Sequence, residues 1–177
     1  MNSKQIEILF AVIFLYGSVQ CAQNCSCVVF RLDDIQDYYL YTAQVEVMKV
    51  FQTRKIPMTV GIIANQFGQD TRVLDFIKQG IADASWDYEI ADHGWDHEDF
   101  STFTYAQQYN LLNQAVTKIK SVLGVPSVPS FIPPFNAFNA DTVTALKTLG
   151  FTHMTSQTEL DPEPYPLTGI QLFFRIF

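Results

Sequence analysis

Short apolar runs alternate along this chain with longer stretches in which apolar residues recur every three or four positions. The first kind predicts buried strands and the second predicts helices packed by one face. Residues 27–32 are apolar and β-branched and stop at Asp33-Asp34, which predicts a strand with two carboxylates at its C-terminal end. Leu40, Ala43, Val47 and Val50 then recur at helical spacing, and Pro57 lies beyond that helix. Residues 58–64 predict a second strand. Asp70 is placed to cap a short helix with Val73, Leu74 and Ile77 inward and Gly80 at its end. Residues 88–91 predict a third strand that runs straight into Asp92-His93.

Thr104 and Gln107 form a capping-box pattern, followed by a helix with Tyr105, Tyr109, Leu112, Val116, Ile119 and Leu123 on one stripe. Gly124 and Pro126 end it. Phe131-Ile132 is a short strand leading into Pro133-Pro134-Phe135-Asn136. Asn139 is placed to cap a helix with Val143, Leu146 and Leu149 inward, and residues 151–155 predict a fifth strand. Residues 170–177 form a last strand-like apolar run with no helix after it, an edge that invites aggregation. The expectation is that the domain continues beyond this chain. Alternation of strand and helix implies an α/β fold, a parallel sheet with right-handed crossovers, either open or closed into a barrel. Three polar clusters, Asp33-Asp34, His93 to His97 and Pro133 to Asn136, each follow a strand. Such ends converge on one face in parallel α/β folds, and sites are built there.

At 177 residues the chain is long enough for one domain with a sizeable core. A hydrophobic content of 48% and a charged content of 16% suit a globular protein. The net charge of −7, with no basic run, argues against nucleic acid or an anionic membrane as the main partner. Residues 1–21 read as a signal peptide: Lys4 precedes an apolar run from Ile8 to Val19, and Val19-Gln20-Cys21 suits cleavage before Ala22. The expectation is therefore a secreted protein with one domain over 22–177 and no membrane association after cleavage. Of the remaining Cys25 and Cys27, one pairs with a cysteine outside this chain or both stay reduced, because a bridge across one residue is strained.

Two of the three histidines, His93 and His97, stand four apart. One helical turn, or a tight loop, brings both imidazoles to one side. Two imidazoles and a carboxylate suit zinc and leave a position for water. Adjacent acids such as Asp33-Asp34 repel unless a cation relieves them. Alone, His-x-x-x-His is also compatible with a solvated loop in a structural α/β fragment.

Taken in order, these residues resemble the polysaccharide deacetylases, carbohydrate esterase family four, also called the NodB-homology domain. The family's Asp-Asp motif reads Arg31-Leu32-Asp33-Asp34-Ile35, its His-Ser/Thr-x-x-His motif reads His93-Gly94-Trp95-Asp96-His97, and its Arg-x-Pro-Tyr motif reads Ile132-Pro133-Pro134-Phe135. The resemblance covers roughly residues 27–160. It implies a distorted (β/α) barrel, incomplete here at the C-terminus. It implies metal-dependent removal of N-acetyl groups from a polysaccharide of the chitin or peptidoglycan kind. Asp34, His93 and His97 would bind a divalent metal, usually zinc. Asp33 would be the general base, and a backbone N–H near Phe135 would help to hold the oxyanion. Trp95, Pro134, Phe135 and Asn136 are candidate sugar contacts.

The departures are specific. Ile132 stands where the family has an arginine that orients the base, and Gly94 replaces a hydroxyl residue. The family's late Leu-x-His motif, which carries the catalytic acid, has no counterpart, and His153 has the wrong flanks for it. An alternative reading is thus a non-catalytic carbohydrate-binding or interaction protein on a decayed or truncated deacetylase scaffold.

Overall fold

A computed structural model describes residues 30–156 and 171–174, so the predicted signal peptide and the three cysteines lie outside the described residues. Its centre is a parallel sheet of six strands in sequential order: β1 (Arg31–Ile35), β2 (Met58–Ile62), β3 (Tyr88–Asp92), β4 (Ser130–Phe131), β5 (His153–Ser156) and β6 (Gln171–Phe174). Four helices lie between them, α1 (Tyr41–Arg54), α2 (Thr71–Ala82), α3 (Tyr105–Leu123) and α4 (Ala140–Leu149). Among the described residues each strand pairs with its neighbours in sequence, and every pair is parallel. Sequential order is what a curling sheet on its way to a barrel requires, and it brings all strand C-termini to one rim. The α/β expectation and the barrel-type fold hold, as an incomplete barrel. Residues 171–174 of the last apolar run pair with β5 as β6.

β2 is buried along its whole length, as a central parallel strand should be. Ile35, Met48, Val60, Ile62, Val73, Ile77, Trp86 and Ile119 belong to one hydrophobic cluster. Phe100, Leu112, Phe131, Val143, Leu146, Phe151 and Met154 form a second, between the later strands, α3 and α4. Gly80 lets α2 approach the stacked Trp86 and Tyr88 rings, since a Cβ there would lie 2.9 Å from the Tyr88 ring.

Two expectations shift. β1 runs on to Ile35, so Asp33 and Asp34 lie inside the strand and not after it. On α1 the inward face is carried by Gln44 and Met48, with Tyr41, Val45 and Phe51 packed beside them. Leu40, Val47 and Val50 are exposed instead. The helix has apolar residues on more than one face, and a glutamine takes a core-facing position because its amide Nε2 donates to the Tyr39 carbonyl at 2.6 Å. Hydropathy spacing alone does not register that hydrogen bond. Among the described residues no helix is long and apolar enough to cross a membrane.

The α3 and α4 caps form as the sequence suggests. Asn139 accepts from the Thr142 N–H and also receives the Gln108 amide, while its own Nδ2 donates to the carbonyls of Ser101 and Phe103. It is therefore both a cap and a bracket beneath the rim. Asn139→Ala should lower unfolding free energy by about 2 kcal/mol, above the ~1 kcal/mol of an ordinary cap. Urea titration would measure this, and a loss under about 0.5 kcal/mol would show that the bracket adds nothing.

Candidate metal centre and rim

The site starts from an irregularity in β1. Leu32 pairs with Val60 and Ile35 with Ile62, so three steps on β1 match two on β2. The extra residue is a bulge, and Asp34 takes it up at a φ of +62°. Regular alternation would send adjacent side chains to opposite faces. With the bulge, Asp34 meets the histidines while Asp33 stays beside Arg31, whose Nη2 lies 3.0 Å from Asp33 Oδ2. Asp33 Oδ1 is buried and has no hydrogen-bond partner among the described residues.

β3 ends at Asp92 and delivers His93. The stretch to His97 is a loop, with Gly94 at φ +83° and His97 at +64°. Five hydrogen bonds fix its shape. Ala64 N–H donates to the Gly94 carbonyl and Asn65 N–H to the Trp95 carbonyl. Asn65 Nδ2 donates to Asp96 at 2.7 Å. Glu98 folds back, accepting the N–H of Trp95 at 3.0 Å and of Asp96 at 2.9 Å. A Cβ on Gly94 would come within 2.8 Å of Glu98 Oε2, so glycine is needed both for the positive φ and for the room.

His93 is buried, and its Nδ1 sits 2.8 Å from the Ile132 carbonyl. A carbonyl only accepts, so Nδ1 carries the proton and Nε2 keeps its lone pair for the site. Burial, first, pushes the His93 pKa below its ordinary value, and its hydrogen bond to Ile132 opposes that shift. The imidazole is thus held neutral, the form that ligates a metal. Asp92, fully buried behind it, is pushed the other way, well above the carboxylate range, by desolvation. One of its oxygens takes the Gly94 N–H at 2.8 Å. Asp92 therefore braces the loop backbone, the Asp96 carboxylate ties the loop to the Asn65 side chain, and the partner of the His93 ring is a main-chain carbonyl.

Asp34 Oδ1 lies 3.2 Å from His93 Nε2 and 3.2 Å from His97 Nε2. The three ligand atoms fall within 4.8 Å of one another, and this is the one such group among the described residues. The two rings meet edge to face with centroids 5.0 Å apart. Two imidazole lone pairs turned on one carboxylate oxygen form a donor set suited to a divalent transition metal, zinc included.

The third cluster arrives after β4. Ile132 is buried, and its Cδ1 would be 3.0 Å from a Cβ at Gly61. Pro134 is buried, while Phe135 and Asn136 both take positive φ. Phe135 is 68% exposed, and its ring centroid is 4.5 Å from that of His97. Asn136 Oδ1 accepts from Arg31 at 3.3 Å. Trp95 is placed differently. It packs beside the first hydrophobic cluster, with the Lys118 ammonium 5.5 Å from its ring centroid. His153 opens β5, where it pairs with Ser130 and through it stands level with Ala91 of β3, and its Nδ1 lies 2.9 Å from Thr152 Oγ1. Sequence reading missed Glu98 and Arg31. Glu98 carries a usable signal, an acid one residue past the second histidine of a glycine-containing loop. Arg31 carries none without the strand register.

With this geometry in view, the comparisons are decisive for the family. A family profile described as Polysaccharide deacetylase matches residues 22–154, and the chain belongs to that family. No match is found among curated proteins. Among solved structures, the chain is similar to a CE4-family pseudoenzyme from Bacillus anthracis, with a TM-score of 0.61 at 14% identity, over 74% of this chain and 43% of that one. It is similar to a family 4 acetyl xylan esterase from Clostridium thermocellum in complex with a cobalt ion, with a TM-score of 0.59 at 15% identity, over 73% and 57%. It is also similar to the chitin deacetylase from Colletotrichum lindemuthianum, with a TM-score of 0.59 at 17% identity, over 71% and 53%. The chain thus spans about half the length of these structures.

The Glu98 clamp makes a prediction about the site. Glu98→Ala frees two N–H groups of the histidine loop and should weaken divalent-metal binding by about ten- to a hundredfold, measured by isothermal titration with zinc or cobalt. Unchanged affinity would show that Gly94 and the Ile132 carbonyl hold the loop unaided.

Proposed function

We propose that this protein is secreted and hydrolyses N-acetyl groups on a polysaccharide of the chitin or peptidoglycan kind. The observation that carries the reading is the gathering of Asp34, His93 and His97 beside Asp33 on the rim of a deacetylase-family fold. Asp34 Oδ1 and the two Nε2 atoms would hold a divalent metal, with zinc the ion best matched to them. When bound, such a metal supplies a Lewis acid that polarises a carbonyl and acidifies water. The chain's own residues do the rest. Asp33 would be the base, and its Oδ1, which no group among the described residues occupies, is the oxygen that would accept a proton from attacking water. Phe135 offers apolar surface beside His97 for a sugar ring, while buried Pro134 supports the turn beneath it, and the Phe135 N–H is the candidate donor to the oxyanion. Water adds to the acetamide carbonyl, the C–N bond breaks, and acetate and a free amine result.

Full-length protein loaded with zinc should release acetate from chitin oligomers or peptidoglycan fragments. Asp33→Asn should lower that rate by about a hundred- to ten-thousandfold, the usual worth of a positioned base. A metal-loaded protein that releases none from either substrate sinks the enzymatic reading. Purified protein should carry one metal per chain. A chelator should lower its melting temperature, and His93→Ala should abolish both the metal and the shift.

A second reading is favoured by one placement. The group of possible metal ligands among the described residues takes in His93 and His97 and not His153, so no third imidazole joins them there. A carbohydrate-binding protein without catalysis on the same scaffold would bind oligosaccharide equally well after Asp33→Ala and release no acetate before it.

A further inference from the structure

We infer that Arg31 is the positioning residue for Asp33, fixing which carboxylate oxygen is left to take the proton; this rests on the deacetylase reading of the site. The guanidinium is largely buried, 12% exposed, on the strand that carries both acids. Nη1 donates to the Thr155 carbonyl at 2.8 Å and to Thr155 Oγ1 at 3.2 Å. Nη2 is shared between Asp33 Oδ2 at 3.0 Å and Asn136 Oδ1 at 3.3 Å. The head group is thereby clamped between β1, β5 and the turn after β4.

A planar guanidinium held at one edge cannot rotate, so the edge it offers Asp33 has a fixed direction. Asp33 Oδ2 is taken by that edge, and Oδ1 is the oxygen left for a proton. The arrangement is not the best one for stability alone, because Arg31 Nε is buried with no hydrogen-bond partner among the described residues. A simple cross-sheet tether would need neither the contact to Asp33 nor the unpaired Nε. Arg31 and Asp33 stand two apart on the same strand, so their side chains share a face before the bulge intervenes. Lysine has one point charge and cannot hold Thr155 and Asp33 together in a fixed plane.

The test compares wild type, Arg31→Met and Arg31→Lys as full-length, zinc-loaded protein, with acetate release from chitin oligomers as the rate. Arg31→Met should lower kcat about ten- to a hundredfold while KM and zinc affinity stay within about twofold, and Arg31→Lys should recover part of the loss. A kcat within about twofold of wild type in Arg31→Met overturns the inference. So does a loss that Arg31→Lys leaves unrelieved and that follows melting temperature and zinc affinity downward together. Crystal structures of wild type and Arg31→Met give a readout independent of activity. Asp33 should leave its position in the variant, and an Asp33 that has not moved overturns the inference. If wild type itself releases no acetate, the deacetylase reading fails, and the Asp33 positions in the two crystal structures decide the positioning role.

Discussion

Adjacent side chains on a β-strand point to opposite faces, so a strand that aims two neighbouring carboxylates at one site must break its own ladder. β1 does this between Leu32 and Ile35, where it fits one more residue than β2. The extra residue needs a left-handed backbone, and aspartate is among the few non-glycine residues that adopt it at low cost. The residue at that position is Asp34. Its side chain is about half exposed, so the charge stays hydrated on one side while Oδ1 reaches both imidazoles. Asp33, one residue earlier, remains in the strand and keeps its contact with Arg31. One bulge therefore separates two chemically identical acids into two environments.

The imidazoles are held by backbone more than by side chains. The Ile132 carbonyl sets the protonation of His93, and burial holds the ring neutral. The loop between the histidines is shaped by main-chain bonds to residues 64–65 and by the Glu98 carboxylate. Backbone groups have no rotamers to lose, so the metal-facing nitrogens are fixed with little entropy left to spend on binding. Gly61 and Gly94 complete the arrangement by leaving room for Ile132, His93 and Glu98.

The strand and helix order was legible because it depends on periods that local sequence displays. The α2, α3 and α4 faces follow the apolar spacing, and the Thr104 and Asn139 caps form where their residue types favour them. The three rim clusters were legible because parallel topology sends every strand C-terminus the same way. What sequence could not show was anything requiring register. The α1 face was misjudged because the Gln44 amide bonds carbonyls that only the folded turn brings near. The neighbours of Trp95, and the main-chain carbonyl that partners His93, depend on distances across strands.

The same limit bears on the family's third motif. The resemblance calls for an arginine at position 132, and a motif read in one dimension scores its absence as decay. In three dimensions position 132 faces the interior, where an apolar side chain packs opposite Gly61 and its carbonyl orients His93. The charge on Asp33 meets a guanidinium all the same, entering along β1 from Arg31 and anchored on Thr155. A carboxylate responds to the field and hydrogen bonds at its oxygens, and the strand that supplies them makes no difference to it. Within this scaffold the third segment keeps its turn, its proline and its carbonyl, while the cation beside the acid belongs to the first. Loss of a motif residue is therefore evidence of lost chemistry only after the space around the remaining partner has been searched for a substitute.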